Sequence, residues 1–100
     1  MFDLKNLTDR HFQIESYTDR TLVLIIQDSF MSTWEVKIIF TGVIYISIPT
    51  AGNLESIEEC DPSGEFMRDL AEEEASSFVK LIIDGEDFYI GYKSYSLSAA

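Results

Sequence analysis

The chain has 100 residues, of which 46% are hydrophobic and 25% are charged. That length suits one domain, and those fractions are typical of a protein with a buried core rather than of a disordered chain. Seven basic and 18 acidic residues give a net charge of −11 with the one histidine neutral. This charge disfavours nucleic acids and anionic membranes as partners, because both are bound through Lys and Arg.

Cys60 is the only cysteine, which excludes an internal disulfide and a zinc cage of Cys and His ligands. Residues 1–7 lack a basic region followed by an apolar one, so no secretory signal is predicted. The longest wholly apolar run, Leu22 to Ile26, is far shorter than the roughly 20 residues that cross a bilayer. We therefore expect a cytoplasmic protein.

Between His11 and Ile48 the apolar residues alternate with polar ones, which predicts strands. The first strand ends near Tyr17, and a polar turn at 18–20 separates it from the second. Residues 22–26 are apolar on both faces, so this strand is expected to need cover on both sides, from a helix or a second sheet.

The third strand begins at Trp34 and continues towards Ile48. Because a strand of that length is far beyond the usual five or six residues, Gly42 is expected to mark a tight turn or a bulged bend. Residues 49–64 contain Pro49, Gly52, Pro62 and Gly64 and are predicted to form a long loop.

A change of period predicts a short amphipathic helix from Phe66 to Ala75. Beyond it, Asp84-Gly85 is a strong hairpin signal. A two-residue loop would pair Leu81 with Phe88, and a four-residue loop would pair Leu81 with Ile90.

The predicted fold class is α+β and mainly β, with about six antiparallel strands and one short helix, sandwich-like or as a half-open barrel. Residues 1–95 are expected to form a single domain, and residues 96–100 a flexible tail.

The residues that could carry catalysis lack the surroundings that catalysis needs. His11 is the one candidate general base, but no Ser or Cys nucleophile lies beside it in a known motif. Cys60 is flanked by carboxylates, which oppose the reactive thiolate. There is no phosphate-binding loop, nucleophile elbow, metalloprotease motif or calcium-binding loop. We expect no enzyme, no cofactor and no metal.

The densest charge lies between Glu55 and Glu74, where nine carboxylates and one basic residue, Arg68, give a net −8. A solvated face is one interpretation of such a run, and a docking surface for a basic protein is the other. Phe30 lies in a predicted loop and could join an interface. The candidate partner-binding residues are Glu58, Glu59, Asp61, Glu72, Glu73, Glu74 and Phe30. A homodimer through an edge strand is also expected to be possible, with 89–95 as one candidate.

The stretch from Trp34 to Pro49 contains the pattern Val-x-Ile-x-Phe-x-Gly-Val at positions 36–43. Together with the strand pair that precedes it, residues 8–49 resemble small bacterial proteins, some of which are similar to toxin-immunity proteins. That resemblance implies a stoichiometric inhibitor without a cofactor, and no binding residue follows from it.

Three functions are compatible with these features. The first is a non-enzymatic module that binds a basic protein, in the manner of an immunity protein or antitoxin. The second is a small ligand-binding domain or enzyme with a cleft near the Phe30 loop or the Asp84 turn. The third is a structural domain whose charge serves solubility alone.

Overall fold

The fold is a single antiparallel sheet with one short helix. A computed structural model describes residues 7–27, 34–61, 64–74 and 77–99. The elements are β1 (Arg10–Thr18), β2 (Thr21–Gln27), β3 (Trp34–Thr41), β4 (Tyr45–Ser47), β5 (Ala51–Cys60), α1 (Gly64–Glu74), β6 (Ser77–Ile83), β7 (Glu86–Tyr92) and β8 (Ser94–Ala99).

All strand pairs are antiparallel, and the strand order is β4-β7-β6-β5-β1-β2-β3-β8. The prediction of a mainly β fold with one short helix is confirmed. The described residues form eight strands, where about six were expected.

The difference in number arises because two long strand paths are each divided by a bend. Thr41 is opposite Ser94 in the β3–β8 ladder, and Tyr45 is opposite Gly91 in the β4–β7 ladder. Residues 42–44 therefore face only residues 92–93, which is the one-residue excess of a β-bulge. With the two bends counted as continuous, the eight strands make six paths.

Backbone hydrogen bonds continue across both bends. The amide of Lys93 donates to the carbonyl of Thr41 at 3.0 Å, and the amide of Ile44 donates to that of Gly91 at 2.9 Å. Because β4 and β8 are extensions of β3 and β7, these bonds bring the two ends of the strand order together. The sheet is thus rolled, in rough agreement with the predicted sandwich-like or half-open arrangement.

The inner face of the rolled sheet holds the hydrophobic core. Alternate residues of adjacent strands, including Phe12, Leu24, Ile38, Leu54 and Leu81, are fully buried there. On the opposite face of β2, Val23 and Ile25 are only half-buried. Among the described elements, α1 makes no extensive contact with any strand and there is no second sheet. The expected cover over the outer face of β2 is therefore not found.

The predicted loop at 49–64 is wrong for most of its length, because residues 51–60 form β5 between β1 and β6. Its buried residues Leu54 and Ile57 are three positions apart, and the register with β6 shifts between Leu54 and Ser56. A bulge of this kind breaks the alternation that would mark a strand in the sequence. Gly52 also lies in β5, and a Cβ at this position would lie only 2.9 Å from Ile83 Cγ2.

The C-terminal part of the chain forms a hairpin of β6 and β7, followed by β8, which pairs with β3. Asp84 and Gly85 have φ values of 50° and 81°, as a two-residue type I′ turn requires, and Leu81 pairs with Phe88. The two-residue alternative is therefore confirmed. Residues 96–99, expected in a flexible tail, belong to β8 and pair with β3 from Ile39 to Val36.

The bend at Gly42 requires glycine for two reasons. Its φ is +67°, and a Cβ at this position would lie 2.9 Å from both Cβ and Cγ of Lys93. Because these atoms sit at the base of the Lys93 side chain, they cannot swing away freely. Of the two alternatives predicted at Gly42, a tight turn or a bulged bend, the structure agrees with the bulged bend.

We expect Gly42→Ala to lower the free energy of unfolding by about 2 to 3 kcal/mol, since it combines backbone strain with overlap. Gly85→Ala is the matched control, because Gly85 has φ +81° but no neighbour within 4 Å of a Cβ. It should cost only about 1 kcal/mol. Urea denaturation of both variants measures the difference, and equal losses would contradict a steric role for Lys93.

Candidate acidic docking surface

The acidic residues of β5 do not share one face. Glu58 and Glu59 are both exposed but adjacent in an extended strand, so their side chains point to opposite sides of the sheet. Glu58 is opposite Lys80, and Glu59 is opposite Val79. Asp61 follows the strand and is also exposed. These three predicted residues are close in sequence but do not form one continuous surface.

Three acidic residues of α1, unlike those of β5, lie on one face. Glu65, Asp69 and Glu72 are spaced by four and three positions, so they lie along one face of α1, and all three are exposed. We call these three residues the acidic stripe. Met67 lies on the opposite side of the helix and is buried. The exposed Arg68 lies beside the stripe and is the only basic residue of the helix.

The acidic stripe overlaps the predicted site only in part. Glu72 belongs to both sets, whereas Glu65 and Asp69 were not among the predicted residues. The signal that marks them in the sequence is their helical spacing to Glu72, by seven and three positions, which places all three on one face of a helix. Glu73 and Glu74 lie in the last turn of α1, and Phe30 lies outside the described residues.

Glu55, at the start of the acidic segment, has a structural partner. One of its carboxylate oxygens accepts a hydrogen bond of 2.9 Å from the amide of Gly85, and the amide of Asp84 donates to the carbonyl of Asn53 at 3.1 Å. Both bonds tie the tip of the β6–β7 hairpin to β5. The Asp84 turn, considered above as a ligand cleft, thus has backbone amides already used within the fold.

Cys60 is the last residue of β5 and not a loop residue. Burial raises the pKa of its thiol, the nearby Lys80 ammonium lowers it, and the carboxylates of Asp61 and Glu58 raise it again. The net effect is upward, so the thiolate is scarce at neutral pH. This agrees with the sequence interpretation of Cys60 as an unreactive thiol.

The two residues that lie opposite His11 in the described ladders are not nucleophiles. His11 is half-buried in β1, opposite Gln27 of β2 and Asn53 of β5. Within the described ranges, no group of three or more His, Cys, Asp or Glu side chains could hold a metal ion.

Three aromatic rings meet beside the bend of the β7–β8 path. The Phe40 and Tyr92 centroids are 5.1 Å apart, and Tyr95 lies 5.7 Å from Tyr92 and 6.1 Å from Phe40. Burial of Tyr92 raises the pKa of its phenol to about 12, and the charge of Glu59 contributes in the same direction. The neutral phenol is therefore the form that the folded protein stabilises.

The chain matches no protein-family model, and comparison with curated proteins and with solved structures finds no significant match. The resemblance to toxin-immunity proteins accordingly stays a prediction. In the part of the chain that the structure describes, no helix combines the length and the apolar character needed to cross a membrane.

The raised pKa of Tyr92 predicts a loss of stability in alkali. The unfolded chain releases this proton near pH 10, whereas the folded protein holds it until about pH 12. Stability from this group is therefore complete below pH 10 and decreases as the pH rises towards 12. We expect Tyr92→Phe to remove that part of the decrease, measured as the urea midpoint against pH.

Tyr17→Phe is the control, because the side chain of Tyr17 is 53% exposed and should keep the full decrease of the wild type. Identical pH profiles for Tyr92→Phe and Tyr17→Phe would show that the buried phenol is not the cause.

Proposed function

We propose that this protein is a non-enzymatic binding module that docks a basic protein through the acidic stripe of α1. The observation that supports the proposal is the alignment of three exposed carboxylates on one face of the helix. They lie within the segment from 55 to 74 that carries a net −8 of the total −11. Asp61, exposed between β5 and α1, belongs to the same segment of the sequence.

The C-terminal end of the stripe suits a role in association more than a role in stability. Carboxylates near the C-terminal end of a helix are unfavourable to it, because the helix dipole prefers cations there. Glu72 to Glu74 occupy that end of α1, and no basic residue lies in the last turn. A cationic partner would relieve this repulsion on binding, and the field of the stripe would steer the encounter.

A more specific form of this proposal is that the protein inhibits its basic partner. If the basic partner is itself a nucleic-acid-binding protein such as a nuclease toxin, its cationic surface normally receives phosphates. Carboxylates spaced along a helix would take their place and block that surface in a one-to-one complex. The sequence resemblance to immunity proteins points to the same class. We further propose a cytoplasmic site of action, in accord with the free thiol of Cys60.

The test compares two triple variants that each change the net charge from −11 to −8. Glu65→Gln/Asp69→Asn/Glu72→Gln removes the acidic stripe, and Asp9→Asn/Asp19→Asn/Glu86→Gln removes exposed charges elsewhere. Asn tolerates the positive φ of Asp9 and Asp19. Tagged wild type and both variants are used to capture proteins from a lysate of the source cells at low salt.

A basic protein held one-to-one by the wild type and the control, but not by the stripe variant, is the expected result. With that protein purified, the stripe variant should associate at least about tenfold more slowly at low ionic strength and with weaker salt dependence. Equal association rates for the two triple variants would exclude the stripe as the docking surface. An inhibitor would in addition abolish the partner's nuclease activity at a one-to-one ratio.

A further inference from the structure

In the described part of the chain, β8 lies at one end of the strand order. Among the described residues it pairs only with β3, in a register without interruption from Thr41–Ser94 to Val36–Ala99. Proteins usually protect such edges with charged residues, proline, a bulge or a very short strand, because unpaired backbone groups attract another strand. The sequence of β8, Ser-Tyr-Ser-Leu-Ser-Ala, contains no charge and no proline, and the β3–β8 ladder has no bulge within it.

The sequence predicted residues 89–95 as a candidate edge strand for a dimer. For the part of this range that lies in β7, the prediction is not confirmed. Residues 89–91 of that strand pair with β6 on one side and with β4 on the other. Among the described residues of this region, β8, which follows the bend, is the strand that pairs on one side only.

The hydrophobic core is also incomplete at β8. Ile38 and Phe40 of β3 are fully buried, whereas their partners across the ladder, Leu97 and Tyr95, pack against the core but are only half-buried. Burial therefore decreases from β3 to β8. One further strand beyond β8, with apolar side chains on the inner face, would cover Tyr95 and Leu97.

We infer that β8 pairs antiparallel with β8 of a second copy of this chain, giving a symmetric dimer with one sheet across both subunits. In an antiparallel pair, opposite residues lie on the same face. A two-fold axis through Ser96 places Ser96 opposite Ser96 and Ser94 opposite Ser98 on the outer face. On the inner face it places Tyr95 opposite Leu97 twice, so each half-buried apolar side chain gains an apolar neighbour.

The charge distribution favours a second copy as the occupant. Two chains of −11 repel each other unless they meet where acidic residues are absent. β8 is uncharged, and Lys37, opposite Ser98 on the neighbouring strand, forms a 3.0 Å salt bridge with Glu15. The acidic segment lies on β5 and α1, and three other strands, β1, β2 and β3, separate β5 from β8 in one direction of the strand order. A basic partner has no charge to recognise at this edge.

The test uses charge at position 96. Ser96 is exposed on the outer face, so Ser96→Glu should leave the monomer folded while placing two carboxylates in contact across the two-fold axis. Sedimentation velocity should give a wild-type dimer of twice the 11.4 kDa of one chain. We expect Ser96→Glu to raise the dimer dissociation constant at least about tenfold. Ser96→Lys alone should weaken the dimer as well, and an equimolar mixture of Ser96→Glu and Ser96→Lys should restore it.

Ser16→Glu is the matched control. Ser16 is exposed on the same outer face, in the same cross-strand row as Val23, Ile39 and Ser96. Circular dichroism shows whether each variant is folded. A wild type that stays monomeric up to about 1 mM, equal dissociation constants for Ser96→Glu and Ser16→Glu, or no recovery in the mixture would each overturn the proposed pairing.

Salt separates this inference from the proposed function. Added NaCl screens the repulsion between two acidic chains, so the β8 dimer should persist or tighten between about 50 mM and about 500 mM NaCl. Docking of a basic partner on the acidic stripe should weaken over the same range. The dimer and the docking can therefore fail independently of each other. A dimer that dissociates as NaCl is raised over this range would contradict pairing at an uncharged edge.

Discussion

The rolled shape of the sheet depends on the close approach of two strand paths at Gly42. There β3 turns into β4 against the bend between β7 and β8, and the absent side chain leaves room for the stem of Lys93. The turn between β1 and β2 is tied to the same place, since Arg20 accepts a hydrogen bond at its carbonyl from the amide of Val43 and donates one from Nε to the carbonyl of Val43. One bulge thus connects the first four strands to the last two.

This geometry also decides where charge can be placed. The rolled sheet encloses apolar side chains on its inner face, so the excess of carboxylates must lie outside it. The segment between the end of β5 and the start of β6 is the one part of the described chain that leaves the sheet to form a helix. Because α1 has little contact with the strands, most of its surface is available for charged residues without any loss of core packing.

The two proposed interfaces depend on different interactions, one electrostatic and one based on backbone pairing and apolar contact. The acidic stripe of α1 would act at long range, through a field that guides a basic protein and that salt weakens. The edge of β8 would act at short range, through backbone hydrogen bonds and the remaining exposed surface of Tyr95 and Leu97. Because the charged and the uncharged regions lie on different elements, a dimer would present two acidic helices, one from each subunit, to its partners.

Local patterns in the sequence were sufficient to predict those elements in which apolar residues recur at the regular spacing of a strand or a helix, and the turns that glycine marks. The alternation around Trp34, the glycine at 42, the Asp84-Gly85 turn and the amphipathic period of α1 each depend on neighbours within a few residues, and the structure agrees with all four. Strand β5 could not be predicted in this way, because its bulge between Leu54 and Ser56 breaks the period. The sequence contains the four- and three-residue spacing of Glu65, Asp69 and Glu72, but only the structure shows that these three carboxylates share one exposed face of α1.

The sequence by itself therefore determined a mainly β, acidic chain with one helix and a bend at Gly42, since these follow from composition and local geometry. Only the tertiary structure decided that residues 94–99 form a strand and that β7 lies inside the sheet. The reason is that β8 has serine at every second position and little local preference for a strand. It is ordered by the ladder that β3 offers across more than 50 residues of chain, a contact no local pattern encodes.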